Sequence, residues 1–324
     1  MKKKSTWIKP WHGLVRNIAF TILEPYAKWK YHISIEKLHN PEKRPFLILM
    51  NHQTAFDQFF IGMAVEGPVY YLATEDIFSL GWISRLLDFL VAPIPIKKQT
   101  TDLKAIKACV KIAKEGGTIA LFPEGNRTFA GETGYINPAI GGLAKKLGLP
   151  IAFFKIEGGY GIQPRWSDVR RKGKMRAYVA SVLEPEEYKT WSNDELYQYI
   201  CKALYQNEAN SDAEFFHKRS AEYLERVLYV CPNCGITHFE SNGDTVKCTS
   251  CGASAKHLPS TELEGDFPFR YVLDWYKYQE TYINGLDTLS MTETPIIRDQ
   301  CSLYKVALYS KKQLLAENVE LALY

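Results

Sequence analysis

Short apolar runs alternating with amphipathic stretches constrain this chain most. PFLILM at 45–50, VYYLAT at 69–74, TIALF at 118–122 and IAFFKIE at 151–157 are nearly free of charge. Runs of that length are short for core helices and suit strands buried on both faces. Between them, residues 53–65, 77–88, 102–114 and 138–147 read as helices, the first stopped by Gly67-Pro68 and the third by Gly116-Gly117. Residues 31–36 and 174–184 alternate as further strands, and VAPIPI at 91–96, broken by prolines, reads as an edge strand or an extended loop. Strands alternating with helices predict an α/β sandwich with a largely buried sheet.

An apolar fraction of 46% with 13% aromatic residues excludes a disordered chain. Net charge is +4 but uneven: residues 1–44 carry ten Lys or Arg against three Glu, a local +7. So basic an end points to an anionic partner surface, lipid or nucleic acid, or to a solvated tail. No stretch reaches the roughly 18 apolar residues of a membrane-spanning helix. The opening MKKKSTWIKPWHGLVRNIAFTILEP resembles a signal peptide, but Lys9 and Arg16 interrupt it and no small-x-small site follows. Trp7, Trp11, Leu14, Val15, Ile18 and Ile22 recur at helical spacing, so residues 1–30 are expected to form an amphipathic helix. It would lie in a headgroup layer or pack its stripe on the core. A cytoplasmic protein seated peripherally on the inner face of the cell membrane is the expected setting.

Two motifs close two of the apolar runs. NHQTAFD occupies 51–57, and FPEGNRT follows about seventy residues later at 122–128. An imidazole that is neutral near physiological pH can take a proton from a hydroxyl, and a carboxylate can hold its other nitrogen. His52 and Asp57, about one helical turn apart, have the residue types for that pair, as in a hydrolase triad with a substrate hydroxyl in place of serine. No Gly-x-Ser-x-Gly nucleophile elbow occurs, so a covalent acyl-enzyme has no obvious candidate. In the second motif Gly125 would let backbone approach a phosphate, and Arg127 offers a planar fork for its oxygens.

The paired motifs resemble the glycerolipid acyltransferases of the PlsC type, which acylate lysophosphatidic acid. The resemblance covers roughly residues 30–205. It implies an acyltransferase-like sandwich with a mixed sheet flanked by helices over 31–206, and a fatty acyl donor, acyl-CoA or acyl carrier protein. It implies 1-acyl-glycerol 3-phosphate or another lysophospholipid as acceptor, and no catalytic cofactor. By that resemblance His52 and Asp57 are base and orienter, and Glu124, Gly125 and Arg127 bind the acceptor. A third family block ends in Arg near the acceptor phosphate; here IPIKK puts Lys97 and Lys98 at that place. Lysine neutralises a phosphate but does not grip it bidentately. The fourth block is matched by LPIAFFKIEGG, with Pro150 assigned to packing. A basic loop at 165–176, with Arg165, Arg170, Arg171, Lys172, Lys174 and Arg176, would meet anionic headgroups or donor phosphates, or be a hydrated hairpin.

Residues 207–214 are polar and read as a linker or a helix start, leading into a helix over 215–228, so that 207–228 is expected to be a linker helix. Then come two CxxCG knuckles, Cys231, Cys234, Cys248 and Cys251, with thirteen residues between the pairs. Four thiolates so spaced predict a structural zinc ribbon over 229–257, with rubredoxin-like iron or disulfides as alternatives. Four protein ligands leave no open position, so the metal would stabilise rather than catalyse. Residues 258–324 read as an aromatic-rich helix followed by short strands, to which no function is assigned. A lipid- or nucleic-acid-binding protein is the competing class, but nothing basic and aromatic clusters in the ribbon to favour nucleic acid.

Overall fold

The structure, a computed structural model, describes residues 6–40, 42–74, 77–96, 102–287, 295, 297–306 and 310–323. In chain order its first half runs α1 (Pro10–Tyr31), β1 (Ile33–Ile35), β2 (Leu47–Met50), α2 (Asp57–Ala64), β3 (Val69–Thr74), α3 (Trp82–Val91), β4 (Ile94–Ile96), α4 (Leu103–Lys114) and β5 (Thr118–Leu121). There follow α5 (Ala139–Leu147), β6 (Ile151–Glu157), α6 (Gly159–Ile162), β7 (Met175–Leu183), α7 (Pro185–Tyr188) and α8 (Asn193–Leu204). The seven strands form one sheet in the order β1-β7-β6-β2-β5-β3-β4. It is mixed: β6 and β7 are antiparallel, and the other neighbours are parallel.

Pleating sorts the apolar runs onto two faces. Ile48, Met50, Ala120, Phe154 and Ile156 pack with Ala27 and Tyr31 of α1 and Phe60 and Met63 of α2. Leu47, Leu49, Ile119, Leu121, Ile151 and Phe153 pack with α4, α5 and α8, through Cys109, Ile112, Ala144, Leu196 and Ile200. Both faces are therefore covered, as the uninterrupted runs predict. Arg16 ties α1 to α2 by donating to the carbonyls of Gly62 and Val65 (2.8 and 2.5 Å). A cation there faces the negative end of the α2 dipole.

Three readings need correction. The helix expected over 77–88 is a 3₁₀ turn at Ile77–Ser79 followed by α3, because Gly81 adopts φ +68° between them. α8, which the pattern reading passed over, begins with a capping box in which Ser192 and Glu195 bond each other's backbone N–H. Residues 215–228 are turns with one 3₁₀ turn at Leu224–Arg226, not a helix. Ala221, Leu224 and Leu228 have helical spacing, but the local backbone bonds elsewhere: Phe216 exchanges both bonds with Lys172, and Ala221 N–H reaches Gly243.

The second half contains β8 (Val230–Cys231), β9 (Gly235–Ile236), β10 (Phe239–Asn242), β11 (Thr245–Cys248), β12 (Ser254–His257), β13 (Leu263–Gly265), α9 (Val272–Asn284), β14 (Ile297–Lys305) and β15 (Gln313–Leu323). β8 and β9 pair as one hairpin, and β10 to β13 form an antiparallel sheet. Their core joins Leu224, Phe239, Val246, Phe267 and Trp275 to Trp166 of the first half. Phe215 seals the join, its ring lying where a Cβ on Gly161 or Gly173 would stand (2.1 and 2.4 Å). β14 and β15 are strands of nine and eleven residues, longer than the short strands expected there.

Candidate active site

β2 and β5 are hydrogen-bonded parallel neighbours, with Leu49 opposite Leu121. The two motifs leave those strands at the same end of the sheet, so residues about seventy apart in sequence become adjacent. The backbone then locks them: Thr128 N–H donates to His52 O at 2.8 Å, and His52 N–H donates to Glu124 Oε1 at 3.0 Å. The other Glu124 oxygen accepts from Gly134 N–H at 2.7 Å. Burial pushes the Glu124 carboxyl up, and these two amides pull it back.

His52 Nδ1 lies 2.9 Å from Asp57 Oδ2. The helical turn expected between them is absent: residues 51–56 form a loop, and Asp57 is the first residue of α2. The loop folds back so that Asp57, with no exposed surface, accepts from Gln53 N–H (2.6 Å), Thr54 N–H (2.9 Å) and the Thr54 hydroxyl (2.6 Å). A carboxylate so bonded at a helix N-terminus is held in one orientation. Phe122 stacks on the His52 ring, centroids 3.9 Å apart, and fixes its other face. Nδ1 is thereby committed to Asp57, which leaves Nε2 as the nitrogen available to a substrate.

Asn51 continues the edge of β2 with its side chain. Its amide donates to Ile156 O and accepts from Ile156 N–H, both at 2.9 Å, and also donates to Gln206 Oε1 at 3.0 Å. Gln206 in turn donates to Glu208 Oε1, whose partner oxygen accepts from Gly158 N–H, both at 2.5 Å. The polar stretch over 207–214 is thus no free linker: Glu208 is buried and bonded to Gln206 and Gly158, and burial raises its carboxyl to about 7. No periodicity could have flagged Gln206 or Glu208, because their role depends on a strand contributed from elsewhere.

Gly125 adopts φ +67°, with open space where a Cβ would stand, so the turn requires glycine for its dihedral angle. Arg127 is half-buried; burial lowers its guanidinium, as does the neighbouring Arg165. His52, Asp57, Glu124 and Arg127 are thus brought together, whereas Lys97 and Lys98 lie outside the described residues. In the second half of the chain, the sulfurs of Cys231, Cys234, Cys248 and Cys251 all lie within 4.8 Å of one another. The Cys231 and Cys251 sulfurs are 3.8 Å apart, close to the ~3.8 Å edge of a tetrahedron with ~2.3 Å zinc–sulfur bonds. The cluster could hold a metal ion.

Residues 32–155 match the Acyltransferase family. The 1-acyl-sn-glycerol-3-phosphate acyltransferase of Bacillus subtilis is 25% identical over 178 residues, 52% of this chain and 84% of that protein. The enzyme of that name from Pseudomonas aeruginosa is 30% identical over 123 residues, 36% of this chain and 46% of its own length. A chloroplastic enzyme of that name from Arabidopsis thaliana is 24% identical over 155 residues, 46% of this chain. The chain spans less than half the length of those last two relatives. Among solved structures, PlsC from Thermotoga maritima aligns with 60% of this chain and 75% of its own, at 21% identity and a TM-score of 0.45. The matched segment runs from β1 into β6 and carries both motifs, so residues 32–155 form an acyltransferase domain similar to those of the 1-acyl-sn-glycerol-3-phosphate acyltransferases.

Proposed function

We propose that this chain transfers a fatty acyl group from acyl-CoA or acyl carrier protein to the sn-2 hydroxyl of 1-acyl-glycerol 3-phosphate, giving phosphatidic acid. The observation that carries the proposal is the 2.9 Å contact of His52 Nδ1 with the buried, fully bonded Asp57. With Nδ1 held as donor, Nε2 takes the hydroxyl proton while the alcohol oxygen attacks the thioester carbonyl. The tetrahedral intermediate then expels the thiolate, which recovers the proton from the imidazolium. Glu124 holds the His52 backbone in register, and Arg127 receives the acceptor phosphate. The similarity to 1-acyl-sn-glycerol-3-phosphate acyltransferases supports this acceptor.

The cysteine cluster is proposed to bind one structural zinc ion, which would supply folding free energy and no chemistry. Bound metal should equal one zinc per chain, and chelation should melt the β8–β13 region. A purified chain without metal whose β8–β13 region still melts cooperatively would remove zinc from this account.

No helix among the described residues is long and apolar enough to cross a membrane. Peripheral binding to the inner face of the cell membrane is proposed from α1, where Leu14, Ile18 and Ile22 are 61%, 58% and 69% exposed at four-residue spacing. Phe89 of α3, itself exposed, stacks on Trp11 beside them and extends the apolar face. Burying apolar side chains at a headgroup boundary is favourable, and the basic first 44 residues add attraction to anionic lipid. Serine at positions 14, 18 and 22 should abolish co-sedimentation with anionic vesicles; undiminished binding refutes the membrane face.

The function is tested by acyl transfer in mixed micelles, with each donor separately, beside His52→Ala. Phosphatidic acid formed by wild type and lost in the variant supports the reaction and its base. A folded His52→Ala protein at full rate refutes the mechanism, and transfer only to another acceptor, such as glycerol 3-phosphate, refutes the substrate.

A further inference from the structure

We infer that Arg165 supplies a second guanidinium to the acceptor-phosphate site and that the C-terminal cysteine-bearing region holds it there. The inference rests on the acyl-transfer reading above. Arg165 lies between α6 and β7, yet its Nη1 comes within 3.5 Å of the Arg127 carbonyl oxygen. Its guanidinium carbon sits 5.5 Å from the centroid of Phe129, two residues beyond Arg127. Among the described residues neither arginine has a carboxylate within ion-pair distance. The nearby carboxylates are already engaged, Glu124 by two backbone amides and Asp57 by His52 and the turn. The Arg165 charge repels the Arg127 guanidinium, and holding the two like charges in one neighbourhood has an evident use if an anion binds there. A phosphate monoester accepts several planar, bidentate donors at once.

The segment bearing Arg165 is anchored from the C-terminal half. Asp168 makes a bidentate pair with Arg226, both contacts 2.9 Å, and Arg226 also donates to Trp166 O at 3.3 Å. Ser167 donates to Glu222 O at 3.3 Å, and the Trp166 ring is buried in the core shared with Cys231 and Cys248. On the other side Phe129, beneath the Arg165 guanidinium, packs against Tyr276 of α9 with centroids 5.9 Å apart. Arg226 and Tyr276 are therefore positioning residues, and the cysteine-bearing region acts as a wall of the acceptor site.

Steady-state kinetics on the full chain test this, with 1-acyl-glycerol 3-phosphate as acceptor and the donor that wild type prefers. Arg165→Ala should raise the acceptor KM about tenfold to a hundredfold, the loss expected of one charge-assisted contact. Its kcat and donor KM should stay within about twofold, because only acceptor binding is touched. Competitive inhibition by inorganic phosphate should weaken by a similar factor, and Arg165→Lys should fall between. Arg226→Ala should raise the acceptor KM less, and should add nothing in the Arg165→Ala background. An unchanged acceptor KM in Arg165→Ala overturns the inference, as does a rise in donor KM instead, which would place Arg165 on the donor. Full additivity with Arg226→Ala overturns the role of the C-terminal region. Failure of wild type to use any phosphate-bearing acceptor is a different result: it overturns the function itself.

Discussion

Around His52, polar side chains are mounted on β2 and β5, central strands of a sheet covered on both faces. The four cysteines sit instead on two- and four-residue strands and their turns, with Cys234 and Cys251 exposed. In the first region the core comes first and the site is a consequence of strand order. In the second the site itself is part of the core, since Cys231 and Cys248 are buried among Phe239, Val246 and Trp275. A small set of strands buries too little surface to fold securely alone, and a metal or a neighbour must supply the difference. This chain offers both: four thiols and the face around Trp166 and Phe215. The regions differ in what fixes them, yet meet at Phe129 and Arg165.

The sharpest break of the comparison is His52→Ala. It should reduce transfer by about 10²–10⁴-fold while leaving the melting temperature near that of wild type, because His52 is a partly exposed loop residue. A large loss of stability would mean that the motif loop belongs to the folding core, as the cysteines do. Trp275→Ala comes next, at about 3–5 kcal/mol for a fully buried indole. Calorimetry should then show the cysteine-bearing region melting before the sheet. A single shifted transition would make the two regions one cooperative unit.

Gly161→Ala probes the join, where an added methyl would meet the Phe215 ring at 2.1 Å. A cost of about 1–3 kcal/mol is expected for such overpacking, read from denaturant midpoints. No change would show that Phe215 moves aside without penalty. The smallest effect concerns pH. Burial raises Glu208 to about 7, so between its ordinary value near 4.5 and about 7 the folded chain keeps a proton that the unfolded chain has lost. Stability from this group is therefore full below that window and falls as pH rises through it. Glu208→Gln should flatten the decline in melting temperature between pH 5 and pH 8; an identical slope in both proteins would rule Glu208 out as its source.

The apolar runs at 45–50, 118–122 and 151–157 made the sheet legible, because strands buried on both faces need an unbroken apolar sequence. The motifs at their ends, and the four cysteines, were legible because chemistry demands those residue types at those spacings. Helical periodicity misled at 215–228, where tertiary partners captured the backbone bonds that a helix would have made. Capping signals mattered where periodicity was weak, as at Ser192 and Glu195 ahead of α8.

By itself the sequence determined the α/β class, the two motifs with His52 and Asp57 among their residues, and a four-thiol cluster capable of holding a metal. Only the tertiary structure decided that β2 and β5 are neighbours, which places Thr128 N–H 2.8 Å from His52 O. It alone turned the 51–56 loop back so that Asp57 reaches its histidine from the start of a helix rather than along one. It alone tied buried Glu208 through Gln206 to Asn51 and brought Arg165 to the Arg127 carbonyl. The reason is physical: residue type and local periodicity act over a few residues, whereas strand order and loop closure bring together groups whose separation in sequence carries no signal.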